Sequence, residues 1–347
     1  MNKFLVIFTL LLSCFYSSAQ KRELQKLYNN GKFDLVIQKC VSSAALKDGD
    51  PEVNLIVGRS YADKKKFEEA IPYLESVNSN ESINKEMKTW VLVYLGKCYF
   101  TIDKMAKANE AIKNALLIKG SRAATKLAQR NAVLFQTSDF YKDWKMKKSM
   151  HFRFHFQNLN STTNWEEYIA KQEVLYQRLN SFFEDEPTKK IDIYIWADKY
   201  EAYREMKRSL SFSNADLCII NVDSCGNTNN ELCQLFVNRI IHPKKKSMLI
   251  NNGLSVYFNQ RDKNLFYFAR KSIPKNRFYV QELWEEPTRY ERNLSNPVGG
   301  ALIDFLINKG GKTKLKEFLK DQTIEHAKEI YPDFNQWMKT FEAMLMR

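Results

Sequence analysis

The feature that most constrains this chain is a helical pattern that repeats between Arg22 and Gly120. Tyr28, Lys32, Phe33 and Ile37 recur as Tyr61, Lys66, Phe67 and Ile71, an offset of 33 to 34 residues. A weaker third copy, Tyr99, Lys104 and Met105, lies 38 residues further on, after the longer polar linker 78–85. Gly58 and Gly96 occupy matching positions, as do Ala70 and Ala108. Helix pairs of this length cannot bury their apolar faces alone, so they stack into a short solenoid with a concave side. Ser121–Gln136 continues as a helix. An all-α helical-hairpin unit is therefore expected over 20–136.

A period near 34, with an aromatic closing the first helix and a lysine-aromatic pair opening the second, resembles the tetratricopeptide repeat. The resemblance implies a surface that binds a protein partner. The motif residues themselves are packing residues and do not locate a ligand. Generic helical hairpins are the alternative reading.

Beyond Phe140 the period changes. Met150, Phe152, Phe154 and Phe156 alternate with His151, Arg153 and His155, which predicts a strand. His151 and His155 share a face but stand more than about 12 Å apart at 3.3 Å per residue, so they do not chelate one metal. A solvated or groove-facing surface is expected for them. The spacing then predicts a helix over Trp165–Glu186, a strand over Lys190–Trp196, a short helix over Asp198–Met206 and a strand over Ala215–Val222. Two further helices follow, the first holding Asn230-Glu-Leu-Cys-Gln234 and the second Leu249-Ile-Asn-Asn-Gly-Leu-Ser-Val-Tyr257.

This order and these two segments resemble the gluzincins, thermolysin-like zinc peptidases, over roughly 140–347. In their HExxH frame two histidines on one helical face bind zinc and the intervening glutamate is the general base. Here the frame reads Asn230, Glu231 and Gln234, with Asn252 where the third ligand would stand. Pro297–Gly310 resembles the glycine-led helix placed after the site, ended at Gly310-Gly311. Lys312–Lys320 and Asp333–Met346 supply terminal helices. The resemblance implies α+β architecture overall, a repeat solenoid followed by a zincin-like domain over 137–347.

The chemistry of the frame argues against hydrolysis. Neutral amides are weak donors for zinc, and without it Glu231 has no activated water to deprotonate. Cys233 points about 100° away from Gln234 around the helix. The sequence has four histidines, and His242 and His326 add no metal-binding spacing. A nucleophile elbow and a glycine-rich phosphate loop are both missing from the sequence. The expected catalytic set is empty, with no metal and no cofactor.

Compartment and partners rest on composition. Met1-Asn-Lys3, the apolar run Phe4–Leu12 and Ser17-Ser-Ala19 form a secretory signal peptide over 1–19, cut before Gln20. Leu11-Leu-Ser-Cys14 leaves open a lipid anchor at Cys14. Export makes the location periplasmic or extracellular, with no transmembrane helix in the mature chain. The net charge of +14 can draw the protein to acidic surfaces. The runs Lys64–Lys66 and Lys244–Lys246 lack interleaved aromatics, so nucleic acid is not the expected partner. Cys40, Cys98, Cys218, Cys225 and Cys233 remain after cleavage, an odd number. Either Cys218 and Cys225 bridge or they stay buried thiols.

The leading expectation is an exported, non-catalytic, peptidase-like protein that binds peptide or protein partners. Peptide would add as a strand beside an edge at Ala215–Val222. The alternatives are an exported hydrolase with an unconventional active site and a structural component of an envelope assembly.

Overall fold

The computed structural model of the protein describes residues 19–42, 49–137, 139–159, 164–185, 187, 189–223, 228–260, 262–273, 279–286 and 289–346. Residues 1–18, with Cys14 and most of the expected signal peptide, lie outside these, as does Cys225. The fold is α+β. Two compact units divide the chain, Met1–Lys142 and Asp143–Arg347, a few residues past the expected boundary.

The first unit holds α1 (19–29), α2 (Phe33–Ser42), α3 (Pro51–Asp63), α4 (Phe67–Asn78), α5 (Lys85–Thr101), α6 (Met105–Ile118) and α7 (Arg122–Leu134). The repeat has a definite physical origin here. Gly31, Lys65 and Asp103 each end a helix with φ of 70°, 63° and 63°. The next amide, on Lys32, Lys66 or Lys104, reaches back to the carbonyl of Leu27, Tyr61 or Tyr99 at 2.9, 2.9 and 2.8 Å. This is the same Schellman closure three times. It corrects the sequence alignment, because Leu27 rather than Tyr28 is the counterpart of Tyr61 and Tyr99.

The matched small residues also acquire a cause. A Cβ on Gly58 would sit 2.7 Å from Leu74, and one on Gly96 would sit 2.6 Å from Ile112. Both glycines let the two helices of a pair approach closely.

Tyr28 instead joins a polar staple across the first helices. Its hydroxyl donates to Asp63 at 2.6 Å, and Tyr94 and Lys97 reach the same carboxylate at 3.2 and 3.3 Å. Arg59 lies 4.4 Å over Tyr28 and 4.5 Å over Trp90, a double cation–π contact.

The second unit is built on β1 (Lys145–Lys148), β2 (Phe152–Phe156), β3 (Ile191–Trp196), β4 (Phe212–Asn214) and β5 (Ile219–Asp223), in the order β1-β2-β3-β5-β4. β2, β3 and β5 run parallel, and β1 and β4 are antiparallel edges. The phenylalanines of β2 and Ile191, Ile193 and Ile195 of β3 enter one apolar core. That core also takes in α8 (Trp165–Phe183), α10 (Thr228–Phe236), α11 (Met248–Asn259) and α14 (Arg292–Phe318).

Smaller helices complete the unit: α9 (Lys199–Met206), α12 (Leu265–Ser272), α13 (Val280–Glu285), α15 (Ile324–Ile330) and α16 (Phe334–Leu345). α14 starts earlier than expected and bends at Gly311, whose φ is 79° and lies outside the helical region. Among the described residues no helix is long and apolar enough to cross a membrane.

Two sequence expectations need correction. Ala215–Cys218 is a turn, so the strand begins at Ile219 and is flanked on both sides. On that side the sheet's edge is β4, which at three residues is too short to leave an alternating pattern. The two histidines, expected on a solvated or groove-facing surface, are partly buried against carboxylates. His151 Nδ1 lies 2.6 Å from Glu173, and His155 Nε2 lies 2.9 Å from Asp192.

Candidate functional site

α10 is amphipathic. Leu232, Cys233, Leu235 and Phe236 enter the core, and Asn230, Glu231 and Gln234 lie away from it at the i, i+1, i+4 spacing of one helical face. Its first turn is tied to α8. The Tyr168 and Thr228 hydroxyls stand 2.6 Å apart, and Gln172 Nε2 donates to Asn229 Oδ1 at 2.9 Å.

α11 buries Leu249, Ile250, Gly253, Leu254, Tyr257 and Phe258. Gly253 meets Gly299 of α14 so closely that a Cβ there would be 2.5 Å from the partner backbone. This approach carries Asn252 to Asn296, and Asn252 Nδ2 donates to Asn296 Oδ1 at 3.0 Å.

Between these helices and the start of β4 lies a cavity of about 710 Å³. Asn230, Glu231 and Asn252 all line it, whereas Gln234 does not. Sequence reasoning missed the rest of the lining. Met248, Ser255, Val256 and Asn259 join Asn252 on one stripe of α11, a helical periodicity that was legible. Arg292 and Asn296 sit one turn apart on α14. Ser211 and Asp223 arrive only through the sheet topology.

Glu231 is 7% exposed. Burial pushes its carboxyl above the usual carboxylate range, against hydrogen bonds from Ser213 and Asn230 and the charges of Arg208 and Lys246. Asn230 Oδ1 and Gln234 Nε2 are both buried without a hydrogen-bond partner. Cys233 is fully buried, and that burial holds its thiol neutral, far above its ordinary range. Cys40, Cys98 and Cys218 are buried free thiols as well.

The residues present do not fit a zinc ion. The frame offers amide groups from Asn230, Gln234 and Asn252, with Gln234 outside the cavity, and its one carboxylate, Glu231, accepts hydrogen bonds from Ser213 and Asn230. Among the described residues no group of three His, Cys, Asp or Glu side chains is placed to hold a metal ion. What the cavity offers is hydrogen bonding, from six side-chain amides and two hydroxyls.

A second polar cluster sits on β2 and β3. Asp192 is completely buried and receives Arg153 at 2.8 and 3.0 Å, His155 at 2.9 Å and Lys189 at 3.0 Å. Burial alone would raise its carboxyl, yet Lys189, His155 and Arg153 hold it far below the carboxylate range. Each of these contacts ties Asp192 to this chain's own side chains.

No known family model matches the chain, and no curated protein sequence matches it.

Proposed function

We propose that this is an exported, non-hydrolytic binding protein. Its second unit is a gluzincin-like domain without zinc that captures peptide in the cavity beside α10, and its tetratricopeptide-like first unit engages a protein partner. One observation carries the reading: Asn230, Glu231 and Asn252, three positions of the peptidase frame, converge on one cavity, and the two ligand positions among them, Asn230 and Asn252, bring amides instead of metal ligands. A cavity of this size is in the usual range for ligand sites.

The strand-addition edge moves from 215–222 to β4. Leu210 and Ser211, just before it, line the cavity, and Ser213 bonds Glu231. Backbone pairing to an edge needs no metal, so peptide capture can persist where hydrolysis does not.

Incubating residues 20–347 with a pool of unstructured peptides, followed by mass spectrometry, tests this. Peptides are expected to be retained, uncleaved, with or without chelator. Cleavage that survives both chelator and Glu231→Gln would make the protein a hydrolase and overturn the reading, as would retention of no peptide at all.

A further inference from the structure

The cavity's lining specifies how a peptide would be read, an inference that rests on the peptide-binding proposal above. Three of its amides are half-used in bonds within the protein. Asn252 donates to Asn296, which leaves Asn252 Oδ1 as acceptor and Asn296 Nδ2 as donor. Asn229 accepts from Gln172, which leaves its own Nδ2. Asn230 Oδ1 is a buried acceptor with no partner. Each internal bond fixes a side chain and presents the remaining group ready-made.

An extended residue offers one N–H and one C=O, the complement of the acceptor and donor that the Asn252–Asn296 pair keeps open. The charges decide against a strongly ionic ligand. Asp223 and Arg292 line the same cavity with opposite signs, and Glu231 is disfavoured in its charged form. Among the described lining residues none is aromatic, so none of them offers a stacking platform for a sugar ring.

Length follows from α11. The lining stripe runs from Met248 to Asn259, about 16 Å at 1.5 Å per residue, which is the span of about five extended residues.

We infer that the cavity binds about five residues of an uncharged extended peptide through its backbone amides, with the Asn252–Asn296 pair as a central reader. Selectivity by side chain is correspondingly weak.

The test uses residues 20–347 and a fluorescein-labelled pool of uncharged pentapeptides, acetylated and amidated at the ends, read by anisotropy. A second pool carries N-methyl groups at alternate residues, which removes backbone donors and keeps the side chains. The N-methylated pool is expected to bind about tenfold or more weaker. Asn252→Leu with Asn296→Leu is expected to weaken the unmethylated pool by a similar factor, about tenfold, with the thermal midpoint little changed. Equal binding of the two pools to the native protein would overturn backbone reading and leave peptide capture standing. Retention of a neutral oligosaccharide pool with neither peptide pool held would overturn both.

Discussion

Asp192 and Glu231 are both buried carboxylates of the second unit, and they differ in how completely they are matched. Asp192 has two cations, Arg153 and Lys189, and the His155 ring within 3.0 Å, and its ionised form is strongly favoured. Among the described residues Glu231 is bonded by the Ser213 hydroxyl and the Asn230 amide, beside amide atoms left without partners, and it opens on a cavity. Buried polar groups that are fully matched hold a fold together, while those left partly matched at a cavity wall are available to a ligand. The same chemical group thus serves cohesion in one place and recognition in the other.

The largest expected effect tests the matched side. Asp192→Ala removes the buried carboxylate that Lys189, Arg153 and His155 share and should cost about 3–5 kcal/mol, read from the urea midpoint. If it costs no more than Glu231→Gln, the contrast between the two carboxylates is wrong.

Gly253→Ala comes next. Its Cβ would meet Gly299 backbone, which has no side chain to swing aside, so the α11–α14 contact must open at about 1–3 kcal/mol. Peptide binding should fall with it, because Asn252 and Asn296 separate. An alanine variant with native stability would mean that the glycine contact does not set the cavity.

On the unmatched side the sign reverses. Gln234→Leu removes a buried, partnerless Nε2 outside the cavity and should leave the urea midpoint unchanged or slightly raised. A clear destabilisation would show that Gln234 has a role its surroundings do not display.

Glu231→Gln has a small effect that pH exposes. The carboxyl titrates higher in the folded than in the unfolded chain, so the native protein loses stability as pH rises from the unfolded value toward the folded one. Glu231→Gln should be the more stable protein at neutral pH, and the difference should vanish below about pH 4, where both states are protonated. A difference that instead grows on acidification would reverse the assigned shift.

Much of the scaffold was readable because it is periodic. The helix pairs, the Phe152–Phe156 alternation and the glycine that bends α14 each leave a local signature. The repeat register slipped by one because the Schellman bond from Lys66 to Tyr61 sets it, and such a bond is silent in sequence. β4 was missed because three residues are too few for an alternation, and β1 because Lys145–Lys148 looks like a polar turn.

The site was half legible. The N-E-x-x-Q frame marked α10, and the polar stripe on α11 was there to be found at helical spacing. Asp223 and Ser211 reach the cavity through strand order, which one sequence does not encode locally. The same holds for Asp192, which lies far along the chain from Arg153 and His155 and could not be matched to them in advance.

The central claim is that Asn230, Glu231 and Asn252 form part of an amide-lined binding wall and that the frame they share with Gln234 is not a metal centre. Metal analysis of purified residues 20–347, dialysed against zinc, tests it most directly beside the variant Asn230→His, Gln234→His, Asn252→Glu. The native chain should hold no stoichiometric zinc and the variant should take it up. One zinc retained per native chain would contradict the account.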